Sequence, residues 1–413
     1  MIANHRKYVV LAGALDTKHV EYSFLRERLA SHGVAAVLLD FGVLGVAGTH
    51  AEIDRDAVAR SGGATIRELA DGNDRNRAMM AMADGAAVEV RARVERDEVA
   101  GVIVVGGSNA GYAMSRIAPA LPFGVPKILV STIAAGDTRP YVGTSDLTLM
   151  YPVVDIAGLN SISRTVLARA ADACAGMLAG PPLDERTTAG AIAVSMFGVT
   201  TACVGEIQGT LESDGWEVHA FHATGVGGRS MEAMIQDGLF AAVADVTTTE
   251  LADEMMGGVC AAGPDRLTAA GRRGIPQAVS VGALDMVNFG ALETVPDRYR
   301  SRLLHAHNPA VTLMRTSVEE CAALGREIAR RVNAATGPSE VLVPLRGFSQ
   351  ISVEGAPFHD PAADRALVDA LRSGLESSIP LHLIDTDIND PAFAAEVTIS
   401  LSRMLGRNGR QQE

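Results

Sequence analysis

The same order of strand, polar turn, helix and strand opens each half of the chain. Residues 8–40 contain an apolar strand, a turn, an amphipathic helix that stops at Gly33 and a second strand, and residues 191–222 repeat that order with Gly215 as the stop. Strands that alternate with helices are typical of α/β folds. The repeat therefore predicts two doubly wound α/β domains with mainly parallel sheets, although it does not establish a duplication.

Length and local composition indicate where these two domains meet. A chain of 413 residues is longer than one hydrophobic core usually serves. Residues 178–188 carry paired prolines and polar side chains between two segments of strong α/β pattern. We therefore predict an amino-terminal domain over residues 1–183 and a carboxy-terminal domain over residues 184–413.

Charge and cysteine usage limit the partners and the compartment. A formal net charge of −13 and an aromatic content of 4% disfavour nucleic acid as a partner. The four cysteines form no CxxC pair, which fits a reducing compartment. The apolar start is interpreted as a first strand and not a signal peptide, because polar residues 16–18 follow it, and no apolar stretch is long enough to cross a bilayer. We expect a cytoplasmic protein without a membrane partner.

Further elements follow from periodicity and caps. Strands are predicted near residues 99–105, 127–131, 241–246, 277–281, 341–345 and 381–385. Helices are predicted over residues 75–98, 317–335, 361–377 and 391–405, with Ser317 and Asp360 as N-caps of the second and third. Residues 136–158 are too polar and irregular to assign.

Four turns after predicted strands could carry chemistry. They span residues 13–18, 106–111, 130–137 and 223–228. The turn at 106–111 resembles a phosphate cradle, but a tight turn between strand and helix explains its glycines equally well. Lys18 is one of only three lysines, with Lys7 and Lys127, and lies where a compact ammonium would suit phosphate chemistry. Because strand ends of a parallel sheet share one edge, the turns together predict a ligand cleft.

The turn at 223–228 is followed by an unusual number of polar groups. Its bare amides and the helix N-terminus behind them favour an anion, for which the predicted ligands are Thr224, Gly225, Gly227, Gly228 and Arg229. Three threonines and two carboxylates, at residues 247–250 and 253, come shortly after. This density of ionisable groups favours an enzyme over passive binding.

Under the enzyme hypothesis the carboxy-terminal half acts on a small phosphorylated or carboxylated metabolite. Its predicted catalytic residues are His222, Glu250 and Asp253 as acid or base and Arg315 as anion holder, with Arg229 as an alternative holder. His305 and His307 could ligate a divalent metal, although no HExxH or similar spacing occurs, so the metal stays unknown. No GxSxG elbow or Ser-His-Asp arrangement is present, which disfavours a serine nucleophile.

Many ordered motifs together resemble one known family. The runs include LAGALDTK, VIVVGGSNAG, PFGVPKILVST, VVDIAGLNSISRTVL, SMFGVTTACV, FHATGVGGRSMEAM, DVTTTELADEMMGGV, VGALDMVNFG, HNPAVTLMRTS and FHDPAADRAL. They are similar, over nearly the whole chain, to the UPF0261 or Tm-1-like ATP-binding family. The resemblance implies two Rossmann-like subdomains, a homodimer or higher homo-oligomer, and ATP with Mg²⁺ held by the first subdomain.

The resemblance also implies which residues meet the nucleotide. Carried over by position, they are Gly13, Asp16, Thr17, Lys18, Gly106, Gly107, Ser108, Ser131 and Thr132. The chain departs from the family pattern GGSxGT, because Ala110 and Gly111 replace its glycine and threonine. A missing threonine hydroxyl would remove a possible phosphate or magnesium contact. Two functions therefore stay open, ATP binding in the first half and metabolite chemistry in the second.

Overall fold

The computed structural model describes residues 7–180 and 190–406. The chain divides into two compact units, with the division between Asp184 and Glu185. The proline-rich stretch that we interpreted as the boundary lies largely outside the described residues, and so do the first six residues of the apolar start. No helix in the described part of the chain is long and apolar enough to cross a membrane.

The amino-terminal unit is built on five strands. Its elements are β1 (Tyr8–Gly13), α1 (Leu15–Ser31), β2 (Ala36–Asp40), α2 (Arg55–Ser61), α3 (Ile66–Asp71), α4 (Arg75–Glu95), β3 (Val99–Gly106), α5 (Ser108–Ile117), β4 (Lys127–Ser131), α6 (Arg139–Val142), β5 (Thr148–Met150) and α7 (Ser161–Ala179). The strands form one parallel sheet in the order β2-β1-β3-β4-β5. Consecutive β1 residues alternate between its two faces: Val10 packs towards α2–α5 and Val9 towards α1 and α7.

The order of these strands reverses between β1 and β3. From β1 the chain runs outward to β2, then returns past β1 to β3 and continues in the opposite direction. In open parallel sheets such a reversal leaves a crevice beyond the carboxyl ends of the two strands, where ligands bind. Tyr22 joins the two strand ends below this crevice, since its hydroxyl donates to the Ala12 carbonyl at 2.5 Å and accepts from the Val105 amide at 2.8 Å.

The carboxy-terminal unit contains a second parallel sheet and a small antiparallel one. Its elements are β6 (Ala191–Met196), α8 (Thr201–Ser213), β7 (Glu217–His222), α9 (Val226–Gln236), β8 (Ala242–Thr247), α10 (Thr249–Met256), α11 (Ala269–Arg273), β9 (Gln277–Gly282), β10 (Met286–Phe289), β11 (Leu304–Asn308), β12 (Val311–Arg315), α12 (Val318–Asn333), β13 (Ser339–Pro344), α13 (Pro361–Gly374), β14 (Leu381–Ile384) and α14 (Pro391–Met404). The six-stranded parallel sheet has the order β14-β13-β9-β8-β6-β7. The three-stranded sheet, β10-β12-β11, is antiparallel.

The structure confirms the predicted fold class, two Rossmann-like α/β subdomains with parallel sheets. The N-caps at Ser317 and Asp360 are also confirmed, because each side chain accepts amide hydrogen bonds from the first turn. Gly33 and Gly215 follow their helices with φ angles of +73° and +88°. The helix predicted to reach residue 98 ends at Glu95, because Asp97 adopts a φ of +60°. The antiparallel sheet was not predicted.

Candidate functional site

A cavity of about 610 Å³ opens at the strand reversal of the amino-terminal unit. Its wall is formed by residues that follow β1, β2 and β3 and by α3 and α4: Ala14, Asp16, Thr17, Phe41, Gly42, Val43, Leu44, Leu69, Ala70, Asn73, Asp74, Arg75, Ala78, Met79, Met82, Ala83, Asn109 and Ala113. This volume lies within the range of small-molecule sites, roughly 300–1,000 Å³. The cavity therefore occupies the position where this fold class binds ligands.

One side of the cavity is apolar. Met82 and Ala83 on α4, Leu69 on α3 and Phe41 and Val43 after β2 contribute side chains without charge or hydrogen-bonding groups. Methionines adapt their shape to flat or irregular ligands because their side chains are unbranched and polarisable. This side suits a flat heterocycle or another apolar part of a ligand.

The N-terminal turn of α5 also contributes to the wall, through Asn109. Gly107 is the N-cap residue, and no side chain in the described residues caps the helix. A Cβ placed on Gly107 would have no atom within 4 Å, so there is open space beside this N-cap residue. Uncapped amides and the helix dipole together favour an anionic group at this end.

Asp16 supplies a carboxylate beside this end of the cavity. Its Oδ2 atom accepts a hydrogen bond from the Leu44 amide at 3.1 Å, whereas its Oδ1 atom is buried and has no partner within the described residues. Leaving a buried carboxylate oxygen without a partner is costly. A cation or a donor on a ligand would satisfy it.

The loop after β2 is fixed by two residues that sequence reasoning did not select. Asp40 accepts hydrogen bonds from the amides of Leu15 and Gly42, at 3.0 and 2.8 Å, and from Arg55 Nε at 2.9 Å. Arg55 also donates to the Leu44 and Gly45 carbonyls. These contacts hold the loop over the cavity wall. Asp40 could have been recognised from the sequence, because it is a carboxylate at the end of a predicted strand. No sequence pattern points to Arg55.

In the carboxy-terminal unit the glycine turn is filled by a side chain of the same unit. Glu250 Oε1 accepts from the Gly225 amide at 2.6 Å and from the Gly228 amide at 3.1 Å. A Cβ on Gly228 would lie 2.0 Å from Glu250 Oε2, and one on Gly227 would lie 1.9 Å from the His222 carbonyl oxygen. The amides of the turn therefore bind a carboxylate of the protein itself, at the position where we predicted an anionic ligand.

The same carboxylate belongs to a buried ionic network around Arg266. The guanidinium donates to Glu250 Oε2 at 2.6 Å, to both Asp245 oxygens, and to Glu232 Oε1 at 3.2 Å. Arg266 is 1% exposed and Glu250 is 0% exposed. Burial raises the pKa of Glu232, although Arg266 opposes this shift. Glu250 is therefore a structural link between the turn and the core, which differs from the acid or base role that we predicted.

The other predicted catalytic residues have separate surroundings. Asp253 is 0% exposed and accepts from the amides of Cys260 and Asn288, and burial raises its pKa to about 7 despite these donors. Arg315 is buried, pairs with Asp364 at 2.6 Å and donates to the carbonyls around the start of α13. The contacts of Asp253 and Arg315 are internal to the unit. The two side chains therefore do not form an open cleft together with His222.

The remaining predicted ligands in this unit are engaged locally or exposed. Arg229 donates to the Ala261 carbonyl at 2.9 Å, and Thr224 Oγ1 donates to the His222 carbonyl at 3.3 Å. His222 ends strand β7 with its ring 5.4 Å from the Phe197 ring. His305 and His307 lie on β11, and no group of three or more metal-ligating side chains occurs in residues 7–180 and 190–406.

Comparison with known proteins assigns both units to the same family. The profile described as the Uncharacterised protein family (UPF0261) N-terminal domain matches residues 7–182, and its C-terminal counterpart matches residues 189–405. The chain belongs to the UPF0261 family. A UPF0261 protein from Clostridium tetani is 42% identical over 400 residues, which cover 97% of this chain and 99% of that protein. A UPF0261 protein from Rhizobium meliloti is 44% identical over 397 residues, which cover 94% of this chain and 96% of that protein.

A plant relative shares part of its length with this UPF0261 chain. The ToMV resistance protein Tm-1(GCR237) of Solanum lycopersicum is 42% identical over 317 residues. The match covers 75% of this chain but 42% of the plant protein. The virus resistance in its name is a property of that plant protein alone.

The residues that the UPF0261 resemblance selects fall into two groups. Asp16 and Thr17 line the cavity, whereas the others do not, including Lys18, Gly106, Gly107, Ser108 and Thr132. Gly106 and Gly107 form the turn before α5. Gly13 has a packing role, because a Cβ there would lie 2.1 Å from the Tyr22 ring. Ser131 supports the glycine turn, since its hydroxyl donates to the Gly107 carbonyl at 3.2 Å.

Proposed function

We propose that the amino-terminal unit binds ATP with Mg²⁺ in the cavity at the strand reversal. The observation that carries the proposal is that one cavity is lined by an apolar wall, by Asn109 in the first turn of α5 and by Asp16. Within the described residues no side chain caps α5, and the buried Oδ1 atom of Asp16 has no partner. A nucleotide needs these three environments for its base, its phosphates and its metal ion. The family resemblance supports the same ligand.

Under this proposal each part of the nucleotide has its own contacts. The base would lie against Met82 and Phe41, and the phosphates would approach the amides that follow Gly107. Asp16 Oδ1 would take part in holding the magnesium ion, for which carboxylate oxygen is a suitable ligand. Arg75, an exposed cation on the wall, offers a further contact to phosphate.

The departure from the family motif lies outside this wall. A Cβ on Gly111 would lie 2.4 Å from the Ile133 side chain and 2.9 Å from Tyr141, and neither of these residues lines the cavity. A threonine at position 111 would therefore point away from the proposed phosphates. The departure is compatible with nucleotide binding. The homodimer and the cytoplasmic location inferred from the sequence stay predictions.

Substitution of Gly107 by valine tests where the phosphates bind. The new side chain would occupy the open space beside Gly107, where a Cβ has no atom within 4 Å, and thermal unfolding checks that the fold is intact. We expect calorimetric titration with ATP and Mg²⁺ to show one site in the wild type and a loss of about tenfold or more in affinity in Gly107→Val. Gly198→Val, in the corresponding turn after β6, is the control, because its Cβ also has no atom within 4 Å. If only the control lost ATP binding, the nucleotide would bind in the carboxy-terminal unit, and the proposal would be rejected.

Substitution of Asp16 by asparagine tests the metal contact. The amide keeps an oxygen for the Leu44 N–H but removes the charge that would bind Mg²⁺. We expect ATP affinity in the presence of Mg²⁺ to fall by about tenfold, with little change when EDTA is present. Asp74→Asn is the matched control, since Asp74 also lines the cavity but its carboxylate caps α4, a role that asparagine retains. An equal effect of both substitutions would argue against a magnesium contact at Asp16.

A further inference from the structure

A second cavity, of about 370 Å³, lies in the carboxy-terminal unit beyond the end of β13 and beside the edge strand β14. Its wall consists of residues from the loop after β13, from α13 and from β14: Leu345, Arg346, Phe348, His359, Pro361, Asp364, Arg365, Val368, Asp369, Arg372 and Leu383. Part of this wall is the sequence run FHDPAADRAL, which the proposed nucleotide site does not use. The two cavities share no residue.

The cavity has an apolar floor and charged sides. Phe348 and Val368 are 1% and 6% exposed and belong to the core beneath the cavity, and Leu383 of β14 packs against that core. The lining residues of α13 recur at helical spacing, from Pro361 to Arg372, so one face of the helix forms the opposite wall. This geometry offers apolar contact below and ionic contact at the sides.

The charges in the wall favour an anion. The wall contains three arginines and two aspartates, and Asp364 is already paired with the buried Arg315 at 2.6 Å. Arg346 and Arg372 form ion pairs with Asp385 and Asp369, and these pairs are more than half exposed. Exposed pairs of this kind contribute little to stability, so a ligand can compete for their guanidinium groups. Such a local excess of cations contrasts with a chain of net charge −13.

Arg365 is the strongest single indication. It is an exposed residue on the wall and forms no hydrogen bond or ion pair within the described parts of the chain. Arg346 and Arg372 on the same wall each pair with a carboxylate, whereas Arg365 does not pair with any in the described residues. The free donors of Arg365 match the paired oxygens of a carboxylate or a phosphate.

We propose that this cavity binds a small organic anion, with a carboxylate or phosphate group at Arg365 and an apolar body on Phe348, Val368 and Leu383. The volume lies at the lower end of the range for ligand sites, about 300–1,000 Å³, which limits the ligand to a small metabolite. The site is independent of the nucleotide cavity. It places the anion in the unit for which we predicted metabolite chemistry, but outside the glycine turn that Glu250 fills.

Two probes and two variants test this site in the full chain. Phenyl phosphate and benzoate combine an apolar ring with each of the two anionic groups, and calorimetry measures their binding. We expect saturable binding of at least one probe at millimolar concentration, weakened about tenfold or more by Arg365→Gln. Arg326→Gln is the control, since Arg326 is an exposed arginine on α12 that does not line the cavity.

Each outcome of this experiment decides the proposal. Preference for phenyl phosphate or for benzoate would support it and identify the anionic group. Lack of saturation with both probes, or equal weakening by the two variants, would overturn it. Loss of probe binding in Gly107→Val would also overturn it, because the probes would then occupy the nucleotide cavity. Thermal unfolding of both variants checks that the fold is intact.

Discussion

Arg266→Leu is expected to produce the largest loss of stability of any single substitution considered for this protein. The change leaves the carboxylates of Asp245, Glu250 and Glu232 buried around an apolar side chain. Removing one partner from a buried ionic network lowers the free energy of unfolding by about 3–5 kcal/mol. Urea denaturation followed by circular dichroism measures the change.

The pH dependence separates this electrostatic cause from a simple loss of packing. Burial raises the pKa of Glu232 and Arg266 opposes this shift, so without Arg266 the pKa of Glu232 in the folded variant lies further above that of the unfolded chain. The folded variant then binds more protons than the unfolded state, and its stability increases as the pH falls. We therefore expect the difference between variant and wild type to shrink between about pH 8 and pH 5.

A surface arginine provides the control for this experiment. Arg272 pairs with Asp265 at 2.8 Å, and both side chains are more than half exposed. Arg272→Leu should change the free energy of unfolding by less than about 1 kcal/mol. If Arg266→Leu caused an equally small change, the network would not be the element that holds the glycine turn to the core.

Gly85→Ala is expected to destabilise the amino-terminal unit and to weaken ATP binding. Gly85 on α4 faces α2, and a Cβ there would lie 1.9 Å from the Val58 carbonyl oxygen. A backbone atom cannot move aside alone, so α4 must shift, at a cost of about 1–3 kcal/mol. Because α4 carries Met82 and Ala83 of the cavity wall, the shift should also lower the affinity for ATP with Mg²⁺.

Gly176→Ala is the matched control for this substitution. Gly176 lies in helix α7, and a Cβ on it would have no atom within 4 Å. Alanine should raise the free energy of unfolding by up to about 1 kcal/mol, since glycine is a poor helix former, and leave ATP affinity unchanged. Similar thermal midpoints for both variants would contradict the close contact between α2 and α4.

The parallel sheets could be predicted because their strands are short apolar runs separated by amphipathic helices. The strand over Lys127–Ser131 was predicted with its observed ends, since a proline precedes it and a hydroxyl-rich turn follows it. The antiparallel sheet was missed because β10, β11 and β12 have four or five residues each and belong to an irregular insertion. The hairpin of β11 and β12 is local in sequence and was overlooked, whereas the pairing of β10 with β12 depends on contacts distant in sequence, which local patterns do not contain.

The site was predictable only where its residues follow strands directly. Asp16 and Gly107 follow β1 and β3, and the rule that ligands bind at strand ends selected both. The apolar wall was not predicted, because α3 and α4 reach the cavity through packing that no local motif specifies. The hydrogen bonds of Glu250 were not predicted for a similar reason: the sequence shows a carboxylate near a glycine turn but not that it accepts from the amides of that turn. Its acid or base role stays a prediction.

The most direct test of the nucleotide proposal is a crystal structure of the full chain grown with ATP and Mg²⁺. The proposal predicts phosphate density at the N-terminus of α5, a metal ion bound by Asp16 and the base against Met82. Nucleotide density confined to the carboxy-terminal unit, or a cavity closed by its own side chains while ATP is in saturating excess, would contradict it.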